Sequence, residues 1–151
     1  MAHYRFTGDG AFLTEMWPAV LKSVDYMERL RSRRLTPEYQ TPGKRACYGL
    51  LPESMSHEGY MAHPVHAYWD DFWALRGFKD AAAMAEILGD GQQAKRIVAL
   101  RDDFQETLYA SLNLVIRERA LDFVPGSVEF ADFDPAATAI AIAVADEIHH
   151  L

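Results

Sequence analysis

The chain has 151 residues, half of them hydrophobic, and 15 Lys and Arg stand against 22 Asp and Glu for a formal net charge of −7. That length suits one ordinary domain, residues 1–151, with a real buried core. The acidic balance argues against a nucleic-acid partner, which needs a concentrated cationic face, and the single cysteine, Cys47, excludes an intrachain disulfide.

The opening "MAHYRFTGDGAF" lacks the charged start and apolar run of a signal peptide. No apolar stretch approaches the length of a membrane span, so a soluble chain with no membrane partner is expected. Its compartment is left open. A first helix is predicted over residues 9–34, where Leu13, Met16, Trp17, Val20, Leu21, Val24, Met27 and Leu30 recur at helical spacing. Pro18 predicts a kink. The basic run "RLRSRR" falls at the end of this helix, where cations suit the negative end of the dipole. A structural role there is preferred to a binding patch.

Residues 35–64 show no sustained period and are punctuated by Pro37, Pro42, Gly43, Pro52 and Gly59. Loops this long in compact domains are commonly functional or disordered. Tyr39, Tyr48, Leu50, Leu51, Tyr60 and Met61 make this one too apolar for a solvated linker, so an ordered loop lying over other structure is expected.

A second helix is predicted over residues 65–88, stopped by "GDG", and a third over residues 92–119 with Ile97, Leu100, Phe104, Leu108, Leu112 and Val115 as its stripe. The short turn makes the pair an antiparallel hairpin. In "LDFVPGSVEFADF", the "VPGS" between two short alternating runs predicts a small hairpin or extended excursion. The last helix opens at "DPAATAIAIAVADEI", with Asp134 as N-cap and Pro135 at N1. The expected fold is all-α: four helices with long excursions at alternate connections. Long loops gathered at one end of a helical array are where a site belongs.

Within the second helix, "HAYWDDFWALRG" sets two adjacent carboxylates, Asp70 and Asp71, among four aromatic residues. Asp70 and Trp73 share a face, and Trp69 lies one turn before Trp73. Acidic residues near a helix start are also favoured by its dipole, and Tyr68, Phe72 and Leu75 read as core.

Three segments together carry a resemblance: "GLLPESMSHEGY", "HAYWDDFWALRGFKDAAAMAEILGD" and "VPGSVEFADFDPAATAIAI". They resemble the six-hairpin glycosidases, the (α/α)6-barrel glycoside hydrolases, and "YRFTGDGAFLTEMWPAVLKSVDYMERL" is also like one of their barrel helices. The resemblance covers nearly the whole chain. It implies a fragment of a catalytic domain, because the barrel needs six helical hairpins and this chain has room for roughly two. On this resemblance Trp69, Asp70 and Trp73 match a Trp-Asp-aromatic pattern that places a carboxylic acid at the sugar-binding centre. Asp70 is then the candidate general acid, protonating the leaving glycosidic oxygen. Asp71 directly after it stays open either as the functional carboxylate or, with Trp69, Trp73, Arg76, Glu53, Glu58, Tyr60 and Glu129, as a substrate-binding residue.

A glycosidase needs a second carboxylate across the sugar. Glu53, Glu58 and Glu129 flank the helix, yet related barrels supply the base from a later hairpin, so the isolated chain is expected not to turn over. The expected partner is a carbohydrate, with association of copies as a way to cover exposed helix faces. The alternative is a non-catalytic helical module that binds carbohydrate or protein through the same aromatic patch. No cofactor is expected: His63, His66 and Asp70 have a spacing a metal could use, but they read more simply as hydrogen-bonded loop and helix-start residues. Ser54 and Ser56 near His57, and Cys47, lack the context of a nucleophile.

Overall fold

The computed structural model describes residues 1–56, 60 and 62–151. The fold is all-α, as expected. Helix α1 (Ala2–Thr7) precedes α2 (Gly10–Ser32), then come two 3-10 turns (Pro37–Gln40 and Arg45–Cys47), α3 (Tyr68–Ile87), α4 (Gly91–Arg119) and the short α5 (Pro135–Ala139), which passes into a π-helical turn (Ile140–Val144). Helix α1 was not anticipated. It buries none of its residues, so it leaves no apolar period to read. Among the described residues no helix is long and apolar enough to cross a membrane.

Asp9 starts α2 by accepting the Phe12 amide at 3.0 Å, which satisfies one of the free donors of a first turn. Asp90 does the same for α4 through the Gln93 amide, and its other oxygen accepts the Trp17 indole N–H at 3.2 Å. One aspartate therefore ends the α3–α4 turn and ties α2 to it.

Helix α3 is the central element, packed on α2, α4, α5 and the π turn. Its buried positions, among them Phe72, Ala74, Leu75, Phe78, Ala81, Ala82 and Ala85, run round most of its circumference, the pattern of a helix enclosed by its neighbours. The predicted stripe of α4 is buried throughout. The α3–α4 hairpin is thus held by the faces its sequence shows.

One expectation is corrected and another is decided between its two alternatives. The final helix stops after Ala139 and widens to the π turn, where the Ala145 amide reaches back five residues to the Ile140 carbonyl at 2.8 Å. The excursion after α4 forms no β-hairpin among the described residues, only the isolated antiparallel bridges Pro125 to Phe133 and Ala67 to Ser127. Two arginines of the basic run, Arg31 and Arg34, are buried, while Arg29 and Arg33 are exposed. Arg31 is buried and donates to the Gly49 and Asp103 carbonyls while pairing with the Asp103 carboxylate. Residues 35–56 are thereby pinned to α2 and α4. Gly49 sits at φ +74, where a Cβ would lie 2.7 Å from Thr107 Cγ2. Only glycine fits that crossing.

Candidate functional site

The three segments that carry the family resemblance meet at the N-terminal end of α3. Ser54 and Val65 exchange both backbone hydrogen bonds, 2.9 and 3.0 Å. From the other side the excursion offers the Gly126 carbonyl to the Tyr68 amide at 3.0 Å, and the Val128 amide donates to the His66 carbonyl at 3.0 Å. Helix α3 therefore begins between two clamped loops.

Extended backbone sends successive side chains to opposite sides, and residues 53–56 use this to build two sites. Ser54 and Ser56 face Asp70: Ser54 Oγ donates to Oδ2 at 2.5 Å and Ser56 Oγ to Oδ1 at 2.9 Å. The Ser56 amide in turn donates to Ser54 Oγ at 3.0 Å. Both carboxylate oxygens of a half-buried Asp70 are oriented by hydroxyls. The two-residue spacing of the serines is the signal that sequence reading set aside.

Beside Asp70, Trp69 and Trp73 meet edge to face with ring centroids 6.3 Å apart. Trp73 is 44% exposed. Such a ring offers an apolar face to a ligand.

Asp71 turns the other way. It is fully buried and accepts the Leu51 amide at 3.0 Å, so it latches the loop onto α3 and does not reach solvent. Burial pushes its carboxyl well above the ordinary 3.8; the Leu51 hydrogen bond opposes this, the neighbouring charge of Asp70 adds to it, and Arg31 lowers it. A raised folded pKa contributes stability at low pH that is lost as pH rises through the folded value. Asp71→Asn keeps an oxygen for Leu51 and cannot ionise. Its urea midpoint, minus that of the wild type, is expected to grow as pH is raised from 5 to 9. Parallel pH curves would show that Asp71 is already ionised in the folded chain over this range, so that burial does not raise its carboxyl.

Glu53 points away from Asp70, toward a cluster around His66. Arg34, itself buried, pairs with Glu53 and donates through Nε to His66 Nε2 at 3.1 Å. Glu53 Oε2 lies 3.4 Å from the same ring nitrogen. On the opposite edge Glu129 holds His66 Nδ1 at 2.6 Å and accepts the His66 amide at 2.9 Å. Because Nε2 accepts from Arg34, the ring proton sits on Nδ1. Burial acts to raise the Glu129 carboxyl, but hydrogen bonding to His66 outweighs it and leaves the group below its ordinary value. Glu53 is lowered in the same way, by Arg34 and a backbone hydrogen bond against burial. Glu53, His66, Glu129 and Cys47 line a cavity of about 360 Å3 with Tyr39 and Lys44.

The remaining predicted residues fall elsewhere. Tyr60 is buried and its hydroxyl donates to Asp132 at 2.9 Å. Arg76 pairs with Asp80 at 2.9 Å and donates to the Val144 carbonyl at 3.0 Å, so it secures the C-terminal segment. Glu58 lies outside the described residues, as does His57. His63, His66 and Asp70 form no metal-binding group among the described residues. Sequence reading missed Arg34 and Cys47 as members of the His66 cluster, because both arrive from distant segments.

Comparison of the chain with protein-family models, curated proteins and solved structures finds no match in any of the three.

Proposed function

We propose that this chain is part of an (α/α)6-barrel glycoside hydrolase, in which Asp70 is the general acid at a carbohydrate cleft formed by the N-terminal end of α3 and its two clamping loops. The observation that carries the reading is Asp70 itself. It is a half-buried carboxylate oriented by two hydroxyls beside the Trp69–Trp73 pair, of which Trp73 is exposed. Carboxylates and aromatic faces are what a sugar ring requires, hydroxyl by hydroxyl and face by face. The family's need for four further hairpins also supplies a cover for Phe6, Tyr26 and Phe133, which are all more than half exposed. A second copy of the chain would cover them by the same logic.

One observation favours the non-catalytic reading for the chain alone. Three other carboxylates at this end of α3 already have partners within the chain: the buried Asp71 with Leu51, and the partly exposed Glu53 with Arg34 and Glu129 with His66. Binding without turnover is the consequence, and a base from a later hairpin would complete the acid–base pair.

Calorimetric titration of the chain and of Asp70→Asn with a panel of oligosaccharides, run beside hydrolysis assays, tests this. Saturable binding is expected for at least one sugar. Asp70→Asn should weaken it about tenfold to a hundredfold, since a hydrogen bond to a charged group contributes roughly 1.5–3 kcal/mol. Unchanged affinity in a folded Asp70→Asn would remove Asp70 from the site, and no binding to any sugar would overturn the cleft.

A further inference from the structure

The His66 cluster has a second capability that does not depend on the carbohydrate reading. Cys47 Sγ, a His66 ring nitrogen and a Glu129 carboxylate oxygen lie within 4.8 Å of one another, the one such group among the described residues. They come from three separate segments: the second 3-10 turn, the start of α3 and the excursion after α4. All three side chains line the same cavity of about 360 Å3.

We propose that Cys47, His66 and Glu129 bind one divalent transition-metal ion of the zinc class, with a fourth coordination position open to that cavity. A thiolate, an imidazole and a carboxylate suit zinc, cobalt(II) or nickel(II) and not magnesium or calcium. Three protein ligands with one open position are also the arrangement of reactive zinc sites. The thiolate and carboxylate charges balance the dication. A tetrahedral ion holds its ligand atoms roughly 3–4 Å apart, so His66 Nδ1 and Glu129 Oε1, now at 2.6 Å, separate slightly as the ion enters.

The proton accounting closes within the cluster. Cys47 loses its thiol proton to solvent. His66 gives up the Nδ1 proton and takes one at Nε2, so the Arg34 Nε–H that donates to this nitrogen at 3.1 Å turns off it. Glu53 Oε2 at 3.4 Å accepts the new proton, and Arg34 stays paired with Glu53 through its terminal nitrogen. A carboxylate behind a ligating histidine fixes its tautomer and strengthens the ligand. One proton leaves per ion bound.

Titration of the whole chain with cobalt(II) under reducing conditions tests the site. The expected result is one equivalent bound, a near-ultraviolet thiolate-to-cobalt charge-transfer band, displacement by zinc, and release of one proton. Because Cys47 is the only cysteine, that band reports its sulfur even if a cysteine variant fails to fold. Cys47→Ser should abolish the band. Glu129→Gln, at a side chain 39% exposed, should weaken binding by at least about tenfold, the loss that even an outer partner of a ligand causes. Absence of saturable binding would overturn the proposal. So would binding without the charge-transfer band, as the adjacent His149 and His150 would give, or a band indifferent to Glu129→Gln.

Discussion

Phe104→Ala is expected to lower the stability of the chain by about 4 kcal/mol, within the range of roughly 3–5 kcal/mol for truncating a buried phenylalanine. Phe104 is fully buried at the α3–α4 interface and meets Phe78 edge to face, ring centroids 5.4 Å apart. The buried Arg31 guanidinium lies 5.5 Å from its ring centroid. Truncation therefore removes apolar contact, an aromatic pair and a neighbour of a buried cation together. With a urea slope of about 2 kcal/mol/M the midpoint should fall by roughly 2 M. Phe104→Leu, which keeps most of the buried volume, should cost less than half as much. Equal costs for the two variants would show that the ring's contacts with Phe78 and Arg31 carry the whole effect, and a negligible cost for Ala would mean the interface is not closed.

Lys79→Ala should cost about 3 kcal/mol, the low end of the roughly 3–5 kcal/mol for stranding one member of a buried ion pair. Glu147 is fully buried 68 residues further along the chain, and Lys79 pairs with it and donates to the Ala145 carbonyl at 2.6 Å. Gln105 donates to the same carboxylate at 2.9 Å and Tyr109 at 2.5 Å. The low end applies because the Lys79 side chain is 26% exposed. Removing the cation leaves a carboxylate in the core with two neutral partners.

Adding Glu147→Gln to Lys79→Ala should restore part of the loss, giving a coupling of about 1–3 kcal/mol in a double-mutant cycle. Strict additivity would show that the pair is not formed in solution. The acid limb carries the same information. Burial acts to raise the Glu147 carboxyl, but Lys79, Tyr109 and Gln105 together hold it below its ordinary 4.5. A depressed folded pKa gives stability that is present above the ordinary value and lost as pH falls through the folded one. That loss below pH 4.5 should shrink in Lys79→Ala.

These two variants probe different kinds of information. Phe104 belongs to a stripe at helical spacing, and its burial follows from pattern alone, as do the α3–α4 hairpin, the Asp90 turn and the Asp134 cap. Each depends on residues within a turn or two of one another, so the amino-acid order contains the whole interaction. Glu147 belongs to no pattern. In "ADEIHHL" it reads as a solvated charge, and only the approach of Lys79, Gln105 and Tyr109 from two other helices makes burial tolerable.

The candidate site divides along the same line. That carboxylates stand among aromatics at the start of α3 is visible in "HAYWDDFWALRG", and the meeting of the three quoted segments at that end agrees with long loops gathering there. Which carboxylate is withdrawn is not visible. Asp70 and Asp71 are the same residue type about 100° apart around one helix, and the choice falls to whichever side the loop lies on. The structure turns Asp71 inward to Leu51 and leaves Asp70 to Ser54 and Ser56. Likewise Cys47, His66 and Glu129 are ordinary residues far apart in the chain until the folded backbone brings their ligand atoms together. Local order determined the helices, their caps and the hairpin, because those interactions are short in sequence. The direction of each polar side chain at the site was decided by tertiary packing, because a buried charge takes whatever partner a distant segment places beside it.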